Sequence, residues 1–495
     1  MSDDSTLQAI ATVGPKDDDI AVPLMTGLGK IPVDTSITRQ IHDRITTSAG
    51  KGQEGGVTYG PACLNKVNVE FDSGTPADAF INPYESYILV KGYAADMYNH
   101  TDSTHAIRAS TSIPWNTISA LVENAKLFVN KQSTAVEEFN EQIGHSSMVK
   151  MLETYTADAL ERGTDQWFTP CIEDTRDTNT GTPTPNFANG LSTQSIQRRD
   201  RNLVDEPGGA VKPISKVIYL ADLFDSLKQR ASYKLFNVRV EIKFKPSNEI
   251  LFTDLGSVDP DLATAKAIAA EQRFFVTYAR IEVVYNVLSE AQKAKYQQLT
   301  EQSQWPYKNS FTKYEASVAG SISAGEFKQD TLKNLQSATL LFPSTDCKDG
   351  IGVNPYQYCW GSGATAHTGI TSFRMKYDGK YSPENAVEIN AAAYGENAEV
   401  YELYRACARK RSNPYEAPAI AFHHMAVAQP DVYDYSSYVL LCANFYPLDA
   451  SSHKLLNGAP FEITVGGTDV KRGIVIKKRQ IYWGLSGNGT QYITS

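Results

Sequence analysis

Apolar and polar side chains alternate strictly along three stretches of this 495-residue chain. Val238, Val240, Ile242 and Phe244 interleave with Arg239, Glu241, Lys243 and Lys245. Val67, Val69 and Phe71 alternate with Lys66, Asn68, Glu70 and Asp72, and Phe373, Met375 and Tyr377 with Arg374, Lys376 and Asp378. A period of two puts successive side chains on opposite faces, so each run predicts a half-buried strand of an antiparallel sheet. Gly-, Pro-, Asn- and Ser-rich segments separate the strands, chiefly Asp174–Ser195, Pro343–Gly369 and Tyr377–Glu384. Such excursions from a β core usually carry surface function.

Helical spacing is confined to a few places. Met148, Met151, Leu152, Tyr155 and Ala159 make one apolar stripe, and Val400, Leu403, Tyr404 and Cys407 another. Each predicts an amphipathic helix against a barrel. A third helix is expected from Ser289, where Gln292 closes a capping box, through Ala291, Ala294 and Leu299. It follows the apolar strand of Phe275, Ile281, Val283 and Tyr285 and precedes Trp305–Tyr307, the place of a connector between two domains.

An internal repeat supports that division. Val217–Leu220 lead through Phe224 to Lys234–Asn237 and then Val240, Glu241 and Ile242; Tyr438–Leu441 lead through Phe445 to Lys454–Asn457 and then Phe461, Glu462 and Ile463. The expected organisation is an extended, acidic and Gly-rich arm over residues 1–60, a β domain over 61–288, a helical connector over 289–306 and a second β domain over 307–495.

Composition excludes several classes. With 41% hydrophobic and 21% charged residues and no apolar run near the ~20 residues that span a bilayer, the chain reads as globular without membrane insertion. No basic segment leads into an apolar stretch at the N-terminus, so use inside a cell is expected. Cys63, Cys171, Cys347, Cys359, Cys407 and Cys442 are scattered and never form C-x-x-C, which disfavours disulfide or zinc frameworks. A net charge of -9 argues against coating nucleic acid through one large basic surface, so any genome contact is local.

Three stretches stand out by their order and spacing. The first is Ile113, Pro114, Trp115 and Asn116 leading through Leu121 and Val122 to Ala125–Asn130 and then the helix through Tyr155 and Leu160. The second is the corner Leu220, Asp222, Leu223 and Phe224 running into Lys234–Phe244; the third is Asn354, Pro355 and Tyr356 followed by a strand at Ser372–Tyr377. Over roughly residues 65–480 this order resembles the double jelly-roll major capsid proteins of the adenovirus-like lineage, most closely those of virophages, Polintons and Polinton-like viruses. The resemblance implies an all-β fold of two tandem eight-stranded jelly rolls with a few short amphipathic helices, forming a pseudo-hexameric homotrimer. It further implies an icosahedral shell around double-stranded DNA, a place in the virion, and neighbouring capsomers, penton proteins and minor capsid or cement proteins as partners. A jelly-roll carbohydrate-binding protein and another virion component, a spike or minor capsid protein, are the alternatives.

The residues offer little chemistry, and no catalytic, cofactor or metal site is expected. Gly27, Gly29 and Lys30 lack the frame of a phosphate-binding loop. His423 and His424 are adjacent, so on a strand they would face opposite ways. Asp222 with Asp225, and Asp254 with Asp259, read as acidic turn residues rather than catalytic pairs. The basic cluster Lys471, Arg472, Lys477, Lys478 and Arg479 is the candidate for an inner-face contact with DNA phosphates, against a solvated strand edge guarded by charge. Arg198, Arg199 and Arg201 read as a loop cluster for salt bridges between subunits.

Overall fold

The structure, a computed structural model, describes residues 37–46, 68–74, 79–96, 107, 111–129, 133–139, 142–156, 193–204, 211–227, 237–253, 271–294, 307–322, 325–342, 356, 370–389, 398–409, 418–420, 440–445, 458–467, 471–485 and 491–494. The first half contributes β1 (Ile37–Thr46), β2 (Asn68–Gly74), β3 (Ala79–Ile81), β4 (Tyr87–Asp96), β5 (Thr111–Ser112), β6 (Val122–Val129), β7 (Glu137–Phe139), β8 (Ile214–Tyr219), β9 (Asn237–Phe244), β10 (Phe252–Thr253) and β11 (Gln272–Leu288). The second contributes β12 (Tyr307–Ile322), β13 (Gly325–Leu332), β14 (Leu335–Leu341), β15 (Ile370–Tyr377), β16 (Lys380–Glu388), β17 (Leu441–Asn444), β18 (Ala459–Gly467), β19 (Lys471–Leu485) and β20 (Gln491–Thr494).

Among the described residues the first half folds into two main sheets ordered β1-β11-β4-β8 and β2-β9-β6-β7, with β3 also on β11 and β5 paired with β10 apart from both. The second repeats the pattern as β12-β19-β14-β17 and β13-β18-β15-β16, with β20 also on β19. Counting in each half only the eight strands of these two paths, the first lies beside the eighth and the second beside the seventh, which is the jelly-roll order. The alternating runs of the sequence become β2, β9 and β15 as expected. Val238, Val240 and Ile242 are buried in the first barrel, and Phe373, Met375 and Tyr377 in the second. Burying those faces supplies the main drive for closing each sandwich.

The repeated segments occupy matching places. β8 and β17 each end the four-strand path of their sheet, and β9 and β18 each take second place in the facing sheet. The match is one of topology more than of residues. β8 runs into a helical turn, Leu220–Leu223, whereas β17 lies further along the repeat and ends directly before Phe445.

Two expectations change. Ile37–Thr46, assigned to the arm, is β1, which pairs with β11 from Ile37↔Leu288 to Thr46↔Arg280. The arm's remaining residues, 1–36 and 47–60, lie outside the described ones. At the connector a helical turn begins where expected, with Lys293 N donating to Ser289 O at 2.9 Å; residues 295–306 lie outside. The two helices expected from apolar stripes are Ile143–Thr154 and Ala398–Arg409. The first stops before Ala159 because Tyr155 turns to extended backbone (φ -100°, ψ 148°), and Thr156 bridges to Pro418 in the other half.

Candidate functional site at the joint of the two barrels

The helix Ile143–Thr154 is buried nearly all round, including Met148, Val149, Met151 and Leu152. A helix with no wet face lies between two bodies rather than on one. It also buries two charged residues, Lys150 and Glu153, which is tolerable only if each is paired and hydrogen-bonded. The partners of Glu153 all come from the second barrel. Lys478 Nζ of β19 donates at 2.5 Å, Tyr314 Oη of β12 at 3.2 Å and Thr339 Oγ1 of β14 at 3.3 Å. Burial alone would lower the Lys478 pKa, but the Glu153 carboxylate more than offsets it and holds the lysine charged.

One helical turn earlier, Lys150 Nζ meets Asp225 Oδ1 at 2.5 Å and donates to Asp222 O at 2.8 Å. Asp225 in turn reaches the second barrel, since its Oδ2 accepts the Tyr314 N–H at 2.8 Å. Glu137 of β7 fixes the 3-10 turn that carries Asp225: its two oxygens accept from Asp225 N and Ser226 N, each at 2.9 Å. Burial, reinforced by the Asp225 charge, raises the Glu137 pKa to about 7.

A second clasp uses tyrosines. Tyr404 Oη, from the Ala398–Arg409 helix, donates to Leu152 O at 2.6 Å. Tyr356, also from the second half, donates to Ser119 O at 2.8 Å and accepts from Lys245 Nζ at 2.7 Å. Its ring packs against that of His145 at a tilt of 58°, with centroids 4.9 Å apart. Gly144 is required beneath it, because a Cβ there would collide with the Tyr356 hydroxyl. Ser119 is placed by Asn116, whose Oδ1 accepts from Ile118 N and Ser119 N at 2.8 and 3.1 Å and caps the short helix Thr117–Leu121. The three stretches that carry the family resemblance thus meet here, through Asn116, Asp222 with Phe224, and Tyr356.

The basic cluster on β19 divides. Lys478 is 1% exposed and committed to Glu153, which turns it away from solvent and DNA. Arg479 pairs with Glu315 at 3.1 Å, and Lys477 is buried. Lys471 and Arg472 lie at the strand's start, opposite Ile322 and Ser321. The arginine trio lies on a helix, Thr193–Asn202, rather than a loop. Arg198 is buried and donates to Ile113 O at 2.9 Å, so it serves the subunit's interior, and Arg199 pairs with Asp200.

Asp222 and Asp225 are the functional residues that sequence reasoning passed over as ordinary turn acids. The two described cysteines, Cys407 and Cys442, are free and buried. Gly27, Gly29, Lys30, Asp254, Asp259, His423 and His424 lie outside the described residues. Among the described residues no helix is long and apolar enough to cross a membrane, and no cluster of metal-ligating side chains occurs.

Two jelly rolls locked by buried charge into one body define a double jelly-roll protein. No family model and no curated protein matches the chain. Solved structures do: a chain of the Sputnik virophage, seen by cryo-electron microscopy, aligns with a TM-score of 0.56 at 8% identity, covering 93% of this chain and 89% of that one. The mavirus major capsid protein aligns with a TM-score of 0.51 at 10% identity over 97% and 95% of the two chains. At such identities the likeness is one of fold, and it spans both barrels.

Proposed function

We propose that this chain is a major capsid protein of the virophage and Polinton-like kind. Its role is structural rather than catalytic, and its place is the virion. The observation that carries the reading is the joint: two similar barrels are fixed to each other by a helix, the buried Glu153–Lys478 pair, Asp225 held by Lys150 and bonded to Tyr314 N, and two tyrosines of the second barrel that reach the first, with one contiguous apolar core through both. A rigid pair of wedges is what a lattice block requires. The fold likeness to the mavirus major capsid protein over nearly the whole chain supports it. Three copies would place six barrels around one axis, a pseudo-hexameric homotrimer suited to tile an icosahedral shell around double-stranded DNA.

In that shell the outer partners are neighbouring capsomers, penton proteins and minor or cement proteins. Weak contact with packaged DNA falls to Lys471 and Arg472, since the rest of the basic run is engaged within the subunit. A lattice-clip arm is to be sought before Ile37, because β1 belongs to the first barrel. Light scattering of the purified protein tests the reading. Three chains of 54.5 kDa together weigh roughly 164 kDa, and negative-stain images should show hexagonal blocks about 70–90 Å across, the size of six sandwiches with sheets ~10 Å apart plus loops. A stable single chain at micromolar concentration would overturn it and return a glycan-binding jelly roll to first place.

A further inference from the structure

The helix Ala398–Arg409 packs along β17, and where the two meet each presents a cysteine. Val400, Tyr404, Cys407 and Ala408 form the buried stripe of the helix, and Cys407 sits in its last turn. Cys442 lies within β17, fully buried, opposite Thr339 of β14. The two thiols hydrogen-bond each other across the packing seam. They stand 35 residues apart in the chain (442 minus 407), so it is the fold, and not local chain geometry, that brings them together.

Buried cysteines commonly serve as small apolar side chains, but this pair has polar company. Cys442 Sγ also lies 3.5 Å from the Thr339 hydroxyl, and that hydroxyl donates to Glu153 at 3.3 Å. The thiols thus stand one side chain away from the sealed Glu153–Lys478 pair, and the Lys478 charge acts on Cys442. A nearby cation favours the thiolate, the form that attacks a disulfide. Here burial outweighs it and holds the Cys442 thiol well above its ordinary value. The pair is therefore inert while the helix stays down and becomes reactive when the helix end lifts. Cys407 emerges first, because helix ends fray and open before their middles.

We propose that Cys407 and Cys442 are a thiol–disulfide site, closed by a small-molecule disulfide such as oxidised glutathione, and that closing it pins the Ala398–Arg409 helix to β17. The Cys407 thiolate attacks one sulfur of the oxidant, breaking its S–S bond and releasing one small thiol. The Cys442 sulfur then attacks the Cys407 sulfur of the mixed disulfide and releases the second. Two electrons pass from the protein sulfurs to the oxidant, and the two thiol protons leave on the two released small thiols. The protein sulfurs, already in contact, close to about 2.05 Å. The same helix anchors the joint, since Tyr404 Oη, one turn before Cys407, donates to Leu152 O; a bridge at Cys407 holds that clasp as well. Thiols stay reduced in the cytosol and oxidise outside the cell, so on the shell-block reading the bridge forms in released particles, while the site itself needs only one folded chain.

The test uses the full-length protein, purified reduced and exposed to oxidised glutathione before the remaining thiols are alkylated. Peptide mass mapping should find the Cys407 and Cys442 peptides joined and two hydrogens lighter than their sum. The melting temperature should rise by about 5 °C, as expected for closing a loop of this length, and fall back with dithiothreitol. Cys407→Ala, which suits a buried helical position, should show neither the link nor the rise. The mapping itself needs no variant, so a misfolded Cys407→Ala leaves the question answerable. Two thiols that stay alkylatable after the helix end is loosened in mild urea, or a Cys407 that stops at the mixed disulfide, would overturn the site. A bridge that leaves the melting temperature unchanged would overturn the pinning. A monomeric protein that still forms the link would remove the shell-block reading and spare this one.

Discussion

Lys478 and Glu282 hold the same sheet position in the two barrels, pairing with Ser337 and Tyr87 beside the corners where Phe445 N donates to Gln336 O and Leu220 N to Ser86 O, yet their surroundings are opposite in kind. Lys478 is sealed, with one carboxylate, one tyrosine and one threonine hydroxyl sharing the site. Glu282 is met by three basic side chains, two of them largely in water. A sealed site must match charge one to one, because an unpaired ion away from water costs several kcal/mol. An open face can carry surplus charge, because solvent screens it. The two barrels share one strand order while their side chains differ according to what covers each face.

The largest effect should come from breaking the sealed pair. Lys478→Met leaves Glu153 buried without its counter-ion and is expected to cost about 3–5 kcal/mol in urea unfolding. Combining it with Glu153→Leu should recover much of that, since a well-packed apolar pair avoids the desolvation penalty. A loss below about 1 kcal/mol for Lys478→Met would show that the joint is wetter than described. Next comes Gly144→Ala, which forces the Tyr356 hydroxyl from its place between Ser119 and Lys245. Overpacking of this kind costs about 1–3 kcal/mol, and a protease-accessible second barrel at unchanged first-barrel protection would locate the damage at the joint.

The fold was legible in the sequence where one face of a strand is wet and the other dry, as at Val238–Phe244 and Phe373–Tyr377. β1 escaped because its apolar residues fall at Ile37, Ile41 and Ile45, and the side chains between them are polar and mostly exposed on an edge strand; a period of four hides a strand. The joint was not legible for a different reason. Glu153 and Lys478 are 325 residues apart, and a buried ion pair leaves no periodic trace on either side. Lys478 sits in a basic run that reads as a surface, and Asp222 and Asp225 sit in what reads as a turn. What did carry over was the resemblance, whose three stretches converge on this joint, although their spacing alone gave no sign that they touch.

The smallest effect, and the sharpest contrast between the two regions, concerns pH. Burial and the neighbouring Asp225 charge raise Glu137 from its ordinary value near 4.5 to about 7. The folded state then holds a proton that the unfolded chain has released, so this contribution is full below about 4.5 and is lost as pH rises through about 7. Glu282 behaves oppositely. Its burial would raise it, but hydrogen bonds from Tyr87 and His42 and the Arg44 charge bring it below the ordinary value. Its contribution is present above about 4.5 and is lost as pH falls below that. Glu137→Gln should therefore flatten the stability profile between pH 4.5 and 7 while leaving the acid limb intact. Glu282→Gln should cost about 1 kcal/mol at pH 7, as expected for losing charged hydrogen bonds whose basic partners are largely in water, and flatten only the acid limb. Urea midpoints measured at intervals from pH 3.5 to 8 separate the two, and matching profiles for both variants would mean that the covered joint and the open face do not differ in the way their charges are held.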